Sequence, residues 1–356
     1  MAAGTGNNAQ TQVKQQSSGG FFWKTIAFLQ KNLTWSIPAF MILGIIYGYF
    51  ATAAPLKSAI VPLTFLMVYP MMVNLQIKKV FSKGDTKLQI VVQALNFLLI
   101  PFVGFGIGKL FFPENDLIVL GLLLTSLLPT SGMTISWTGF AKGNIAAAIK
   151  MTVIGLVLGS LLTPFYLKFL MGTVIDIPLL DVFKQIFIVV FLPMAAGYAT
   201  QRFIISRYGQ ERYQKEIKQK FPPLSMLGVL GIVFVAMALK AQSIVSNPLI
   251  LVQYLLPLVV LYGINFLLST VVGKVAFSRG DGIALVYGSV MRNLSIALAI
   301  ALNVLQGDKG SEIALIIAVA YIIQVQVAAW YVKFTDKIFG SVQEAEGTPA
   351  LSPSQR

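Results

Sequence analysis

Arg292 and Asn293 stand side by side at the middle of residues 282–305, GIALVYGSVMRNLSIALAIALNVL, a stretch otherwise apolar and long enough to cross a bilayer. Gly288, Ser289 and Ser295 flank the pair. A guanidinium keeps its charge at any physiological pH and offers five donors in a rigid fork, a geometry suited to a carboxylate or other oxyanion. At mid-bilayer it costs at least about 2.5 kcal/mol, and such groups usually face a water-filled or protein-lined path. The thirteen acids, from Asp85 to Glu346, all fall in loops, tails or span ends. Compensation for Arg292 therefore has to come from carbonyls, amides, water or an anionic ligand.

A second polar patch answers the first. Pro129, Thr130, Ser131 and Gly132 interrupt the apolar run 117–138. Proline removes a backbone donor, glycine relaxes the helix, and the two hydroxyls offer local hydrogen bonds. A proline kink whose hydroxyls bond back to their own helix would read the same way. What favours a site is that the patches correspond. Asn96-Phe97-Leu98-Leu99 recurs as Asn265-Phe266-Leu267-Leu268, and Tyr166-Leu167-Lys168-Phe169 as Tyr331-Val332-Lys333-Phe334. Counting back 36 residues from each tyrosine reaches Thr130 and Ser295. Paired interruptions at equivalent points of two inverted halves are a sequence pointer to a midplane binding site. Arg292, Asn293, Ser295, Thr130, Ser131 and Ser289 are the expected substrate-binding residues, with Pro129, Gly132 and Gly288 as helix breakers.

The chain that must position them has 356 residues, of which 56% are hydrophobic and 11% charged, with a mean hydropathy of +0.78. A soluble domain of this length needs more surface charge. The apolar runs are continuous rather than alternating, which favours helices over a barrel. Ten spans are expected: 33–53, 58–77, 88–112, 117–138, 145–171, 181–203, 222–240, 249–273, 282–305 and 312–334. They divide into five-helix repeats over 33–171 and 181–339, after a disordered tail (1–20) without a secretory signal and an interfacial segment (21–32). A polar tail (340–356) follows. The fold expected is all-α, integral to the membrane. The chain has no cysteine and no histidine, which removes thiolate and imidazole metal sites, Cys and His nucleophiles and disulfides. With buried acids also lacking, an enzyme is not expected, and neither is a cofactor beyond a coupling ion, sodium or proton.

Residues 128–133 (LPTSGM) with Trp137 and the loop Ala141-Lys142-Gly143-Asn144, together with residues 288–300 around Asn293, resemble motifs of the bile acid:sodium symporters and arsenite-efflux permeases. Residues 66–75, LMVYPMMVNL, are closer to the arsenite branch. The resemblance runs over about 33–339. It implies ten helices in a panel and a core domain, with broken spans four and nine crossing in the core. Two departures stand out. The arsenite branch carries a functional cysteine where this chain has Thr130, and the bile-acid branch places sodium-ligating glutamate and glutamine where this chain has Gly288 and Arg292. The expected function is secondary transport of a small organic anion or oxyanion by alternating access. Arsenite or antimonite efflux is the alternative within the class, and a passive channel or solute sensor the alternative outside it.

Three pairs of small residues, Gly44/Gly48, Gly104/Gly108 and Gly155/Gly159, suit close helix approach within the chain or a homodimer contact. Asn74, Gln93, Asn96 and Gln324 are polar within apolar runs and read as interhelical bonds or as ligands. The basic stretch 202–220 suits anionic lipid headgroups rather than nucleic acid.

The net charge of +14 is uneven. With the N-terminus inside, twenty of the 27 Lys and Arg residues fall on the cytoplasmic side and six on the other, Arg292 being the last. That bias places both termini in the cytoplasm of a cell (plasma or inner) membrane. Reporter fusions after Lys87, Arg212 and Arg279 are expected to read cytoplasm, and fusions after Glu114 and Asp308 the opposite side. A cytoplasmic signal at Asp308 removes the ninth span as drawn.

Overall fold

The structure is a computed structural model and describes residues 21–76, 84–172, 179–304 and 308–340. The tails predicted at 1–20 and 340–356 lie outside these residues except for Gly340. The order begins α1 (Phe21–Lys31), α2 (Leu33–Phe50), α3 (Ile60–Val73), α4 (Thr86–Ala94), α5 (Ile100–Phe111), α6 (Asp116–Leu127), α7 (Gly132–Phe140) and α8 (Ile145–Met171). It continues with α9 (Leu179–Ile186), α10 (Leu192–Tyr208), α11 (Gln210–Arg212), α12 (Phe221–Leu239) and α13 (Ala241–Ser246). Last come α14 (Leu249–Ala276), α15 (Arg279–Val290), α16 (Leu294–Val304) and α17 (Asp308–Phe339). Among the described residues there is no strand, only an isolated antiparallel bridge between Pro129 and Arg292.

Seven helical stretches are long and apolar enough to cross a membrane, or eight if the pair 22–30 and 35–50, bent by 103°, counts as one span. Two of the ten stretches drawn from the sequence, 117–138 and 282–305, are each divided into two short helices, α6/α7 and α15/α16. Outward faces carry large apolar side chains such as Phe50, Leu98, Phe169 and Val275, as lipid contact requires. The stretch 282–302 behaves differently: every residue is buried except Ser295, which is partly exposed. A helix apolar all round belongs in the interior.

Packing forms two groups. α12 lies against α2 and α3, with α10 on α3. In the other, α5 packs on α6, α14 on α15 and α17, and α16 on α17, while α8 touches α4, α6, α7 and α15. α16 and α17 also reach α3 and α12, so the broken stretch 279–304 lies where the groups meet.

Prolines shape the long helices. α4 passes into α5 through a π turn (Leu95–Leu99), and α9 into α10 through another (Phe187–Phe191). Pro101 and Pro193 follow these turns and have no N–H to continue the ladder. The carbonyl four residues before Pro101 belongs to Phe97, and the hydroxyl of Tyr166 donates to it. Tyr331, the matching tyrosine, shares a 2.5 Å hydrogen bond with the hydroxyl of Thr270 on α14 and packs its ring 4.8 Å from that of Phe266.

The small-residue pairs pack within the chain, so these faces are not free for a second copy. A Cβ on Gly48 would lie 2.1 Å from the carbonyl oxygen of Ala238, and one on Gly104 1.9 Å from the hydroxyl of Ser126. Gly48→Ala and Gly228→Ala, where the new carbon would meet backbone of Ala238 and Met67, are each expected to destabilise by about 1–3 kcal/mol. Gly106→Ala and Gly263→Ala, with nothing within 4 Å, are expected to be neutral or to stabilise by up to about 1 kcal/mol. Thermal unfolding of the four purified variants checks the contrast, and equal midpoints would refute it.

Candidate functional site

Two helix interruptions face each other at the centre of the molecule. α6 ends before Pro129, whose ring pushes Leu128 toward extended backbone (φ −105°, ψ 85°). Thr130 then adopts φ 62°, a left-handed conformation that costs a β-branched residue about 1–3 kcal/mol. Its hydroxyl donates to the carbonyl of Pro129 at 2.6 Å, with the Thr152 carbonyl 3.3 Å away. Gly155 on α8 makes room: a Cβ there would lie 2.6 Å from the Thr130 hydroxyl, and one on Gly159 3.0 Å from Pro129 Cδ. Ser131 is the N-cap of α7, accepting from the Met133 N–H while its own N–H donates to Thr134 in a capping box. Gly132 opens α7 without a positive φ, so the left-handed turn falls on Thr130 instead.

On the other side α15 ends at Val290 and α16 starts at Leu294. The buried peptide groups freed in the gap and in the last turn of α15 are taken up from four directions. The N–H of Asn293 donates to the Leu128 carbonyl at 2.7 Å, beside the Pro129–Arg292 bridge. Asn96 donates to the carbonyl of Gly288 (3.0 Å) and Asn265 to that of Ser289 (3.2 Å). Gln324 on α17 accepts from the Arg292 N–H (2.8 Å) and donates to the Arg292 carbonyl (3.2 Å), while Tyr262 donates to the same amide oxygen (2.9 Å). Asn293 also caps α16, its side-chain oxygen accepting from Ile296 at 3.3 Å.

The expected site residues thus converge as backbone but diverge as side chains. Ser289 donates to Asn265, Ser295 shares a hydrogen bond with Tyr321, and Thr130 and Ser131 serve their own break. Arg292 is 3% exposed, enclosed rather than lining an open path, and all three guanidinium nitrogens lack a partner among the described residues. With Thr125, Ser126, Leu261, Tyr262 and Asn265 it lines a crevice too tight to admit a water molecule. The side-chain nitrogen of Asn293 is also buried and unpartnered. The orphaned polar atoms carried by the two interrupted segments themselves are therefore donors. Asn96, in the π turn after α4, leaves its side-chain oxygen unpartnered beside the second break, and Gln89 and Gln93 on α4 leave further acceptors.

Gly288 sits inside α15, two residues before its end, with Met151 pressed against it: a Cβ there would come 2.6 Å from the thioether sulfur. A carboxylate at this position would need Met151 to move. Among the described residues no cluster of acids suits a metal ion. Thr125, Ser126, Tyr262 and Asn265 are the neighbours that sequence reasoning did not place, whereas Asn96 and Gln324, read from the sequence as interhelical bonds or ligands, bond across helices here. Asn96 and Asn265 had a signal, since both open the repeated Asn-Phe-Leu-Leu motif; Tyr262 had none.

Residues 61–247 match the model of the Sodium Bile acid symporter family. The chain belongs to that family. The arsenical-resistance protein Acr3 of Alkaliphilus metalliredigens is 24% identical over 88% of this chain and 94% of its own length. An uncharacterized transporter of Synechocystis is 23% identical over 92% and 94%, and the sodium/bile acid cotransporter 7 of Xenopus tropicalis 25% identical over 52% and 54%. The chain is accordingly an integral membrane protein of a transporter family, with an arsenical-resistance-like branch as its surroundings, and it is not an enzyme.

In this family member Gln324 holds both backbone groups of the residue that carries the buried charge. Gln324→Leu leaves the N–H and carbonyl of Arg292 unpaired, at about 1–3 kcal/mol each. Tyr262→Phe removes one hydroxyl and leaves Gln324 bonded to Arg292, so about 0.5–1.5 kcal/mol is expected. A Gln324→Leu midpoint no lower than that of Tyr262→Phe would show that the brace is dispensable.

Proposed function

We propose that this chain is a secondary transporter that moves a small organic anion or oxyanion by alternating access, with Arg292 as the fixed counter-charge. One observation carries the reading: the unpartnered groups that the interrupted segments themselves carry are donors, three guanidinium nitrogens and the amide nitrogen of Asn293. A cation would find no acceptor among them; a carboxylate or oxyanion would find several. Ser295, Thr130, Ser131 and Ser289 join in only by exchanging present bonds for bonds to the anion. Because Arg292 is enclosed, its shell has to open to one side at a time, the motion that alternating access supplies.

The ten-helix reading, with inverted repeats over 33–171 and 181–339 and separate panel and core domains, is part of this proposal. It is supported by the pairing of the two interruptions and by the like-placed tyrosines, Tyr166 against Phe97 and Tyr331 against Phe266 and Thr270. So is the placement in the cell membrane with both termini inside. The coupling ion is sodium or a proton, without a carboxylate at position 288, where Met151 fills the space. Arsenite or antimonite efflux is the second reading, favoured by the Acr3 relatives. Against it, trivalent arsenic seeks soft thiolates, and this chain has no cysteine.

Binding to purified protein decides between them, with organic anions, oxyanions and arsenite each tried with and without sodium and across pH. Arg292→Lys keeps the charge but loses the fork, so anion affinity is expected to fall about tenfold or more. Arg292→Gln is expected to abolish anion binding while unfolding no earlier than wild type, since it deletes an unpaired buried charge. Unchanged anion affinity in Arg292→Gln would sink the assignment; arsenite binding that is lost in Thr130→Ala would promote the second reading.

A further inference from the structure

Away from the crossed breaks, a groove of about 410 Å³ opens between α8 and the α9 end of the next long helix. Its volume lies in the range of small-molecule sites, ~300–1,000 Å³. The wall is apolar, built from Leu161 on α8 and Leu180, Phe183 and Phe187 on the other side, the last within the π turn that precedes Pro193. Two polar residues interrupt it. Ser160 is wholly buried and its hydroxyl has no hydrogen-bond partner, although a serine in a helix can bond back to its own turn. Lys184 is exposed and makes no ion pair among the described residues.

Both walls belong to helices long and apolar enough to span the membrane, so the groove faces hydrocarbon. The two polar residues lie at different depths. Met171 ends α8 and Leu179 begins α9, so these ends share one membrane face. Lys184 lies five residues from that end, roughly 7.5 Å along the axis, and Ser160 eleven residues, roughly 16 Å. A lysine at the shallower level reaches the headgroup layer with its ammonium. Charge at the mouth and an apolar, aromatic channel below it match an anionic membrane lipid in order and polarity.

We propose that this groove is a binding site for one anionic phospholipid. Its phosphate pairs with Lys184 and an acyl chain lies along Phe183 and Phe187, toward Ser160. The lipid joins α8, which touches the interruption at Pro129 through Gly159, to the α9–α10 helix that packs on α3. It is thus placed on the seam between the two packing groups. The site is independent of Arg292.

The test uses the full chain, purified with detergent washes that strip bulk lipid and examined by native mass spectrometry and thermal unfolding. Phosphatidylglycerol, phosphatidylcholine, oleate and inorganic phosphate are the probes. Wild type is expected to retain one phosphatidylglycerol and to be stabilised by it more than by the other three. Lys184→Gln should erase the preference over phosphatidylcholine. Leu161→Trp fills the groove from a half-exposed position and should weaken retention about tenfold; Leu180→Trp, on the opposite wall, is the second filling variant. Arg292→Gln should retain lipid as wild type does. Equal retention in whichever filling variant folds, or equal stabilisation by phosphatidylcholine, oleate or phosphate, would overturn the proposal.

Discussion

A peptide group taken out of a helix inside an apolar interior has no water to turn to, and leaving it unpaired costs about 1–3 kcal/mol. This protein interrupts two helices at its centre and meets that cost by setting the interruptions against each other. The N–H of Asn293 finds the carbonyl of Leu128, and Arg292 bridges to Pro129. What the breaks cannot do for each other is done by three amides, Asn96, Asn265 and Gln324, each from a different long helix. The placement of those helices follows from the need to bring these amides within reach of residues 288–292.

The same economy explains why small and large residues alternate between the two breaks. Around Pro129 and Thr130, α8 offers Gly155 and Gly159, and the backbone approaches until no side chain fits between. Around Arg292, α17 offers Gln324 and keeps its distance with a hydrogen-bonded side chain. One break is held by contact and a strained threonine, the other by amide bonds. The arginine projects from the second into a crevice too tight for a water molecule.

Ion pairs are kept away from this centre. Lys150 pairs with Asp85, Arg279 with Asp336, and Lys109 with Asp116 at 2.6 Å, while Asn144 donates to Asp281 at 2.8 Å. Each has a partner at or near a helix end, although the Lys150–Asp85 pair itself is largely buried. Arg292 is thus the charge that the fold surrounds with hydroxyls and amides instead of a carboxylate. A carboxylate partner would neutralise it permanently; hydroxyls and amides leave its charge available.

Much of this was legible in the amino acids. Continuous apolar runs fixed a helical membrane protein, because only helices satisfy every backbone group within such a run. Pro129 and the Arg292-Asn293 pair marked both interruptions, since proline ends a hydrogen-bond ladder and a mid-span charge needs a special setting. The spacing of Tyr166 and Tyr331 put the two marks in correspondence. Side-chain direction was decided by tertiary structure alone. Thr130 rather than Gly132 takes the left-handed turn because Gly155 leaves space for it, and Ser289 and Ser295 turn to Asn265 and Tyr321 instead of joining Arg292. Tyr262, Thr125 and Ser126 come to the guanidinium from helices far away in sequence. No local pattern encodes such neighbours, because which faces meet depends on how several apolar helices of similar composition pack against one another.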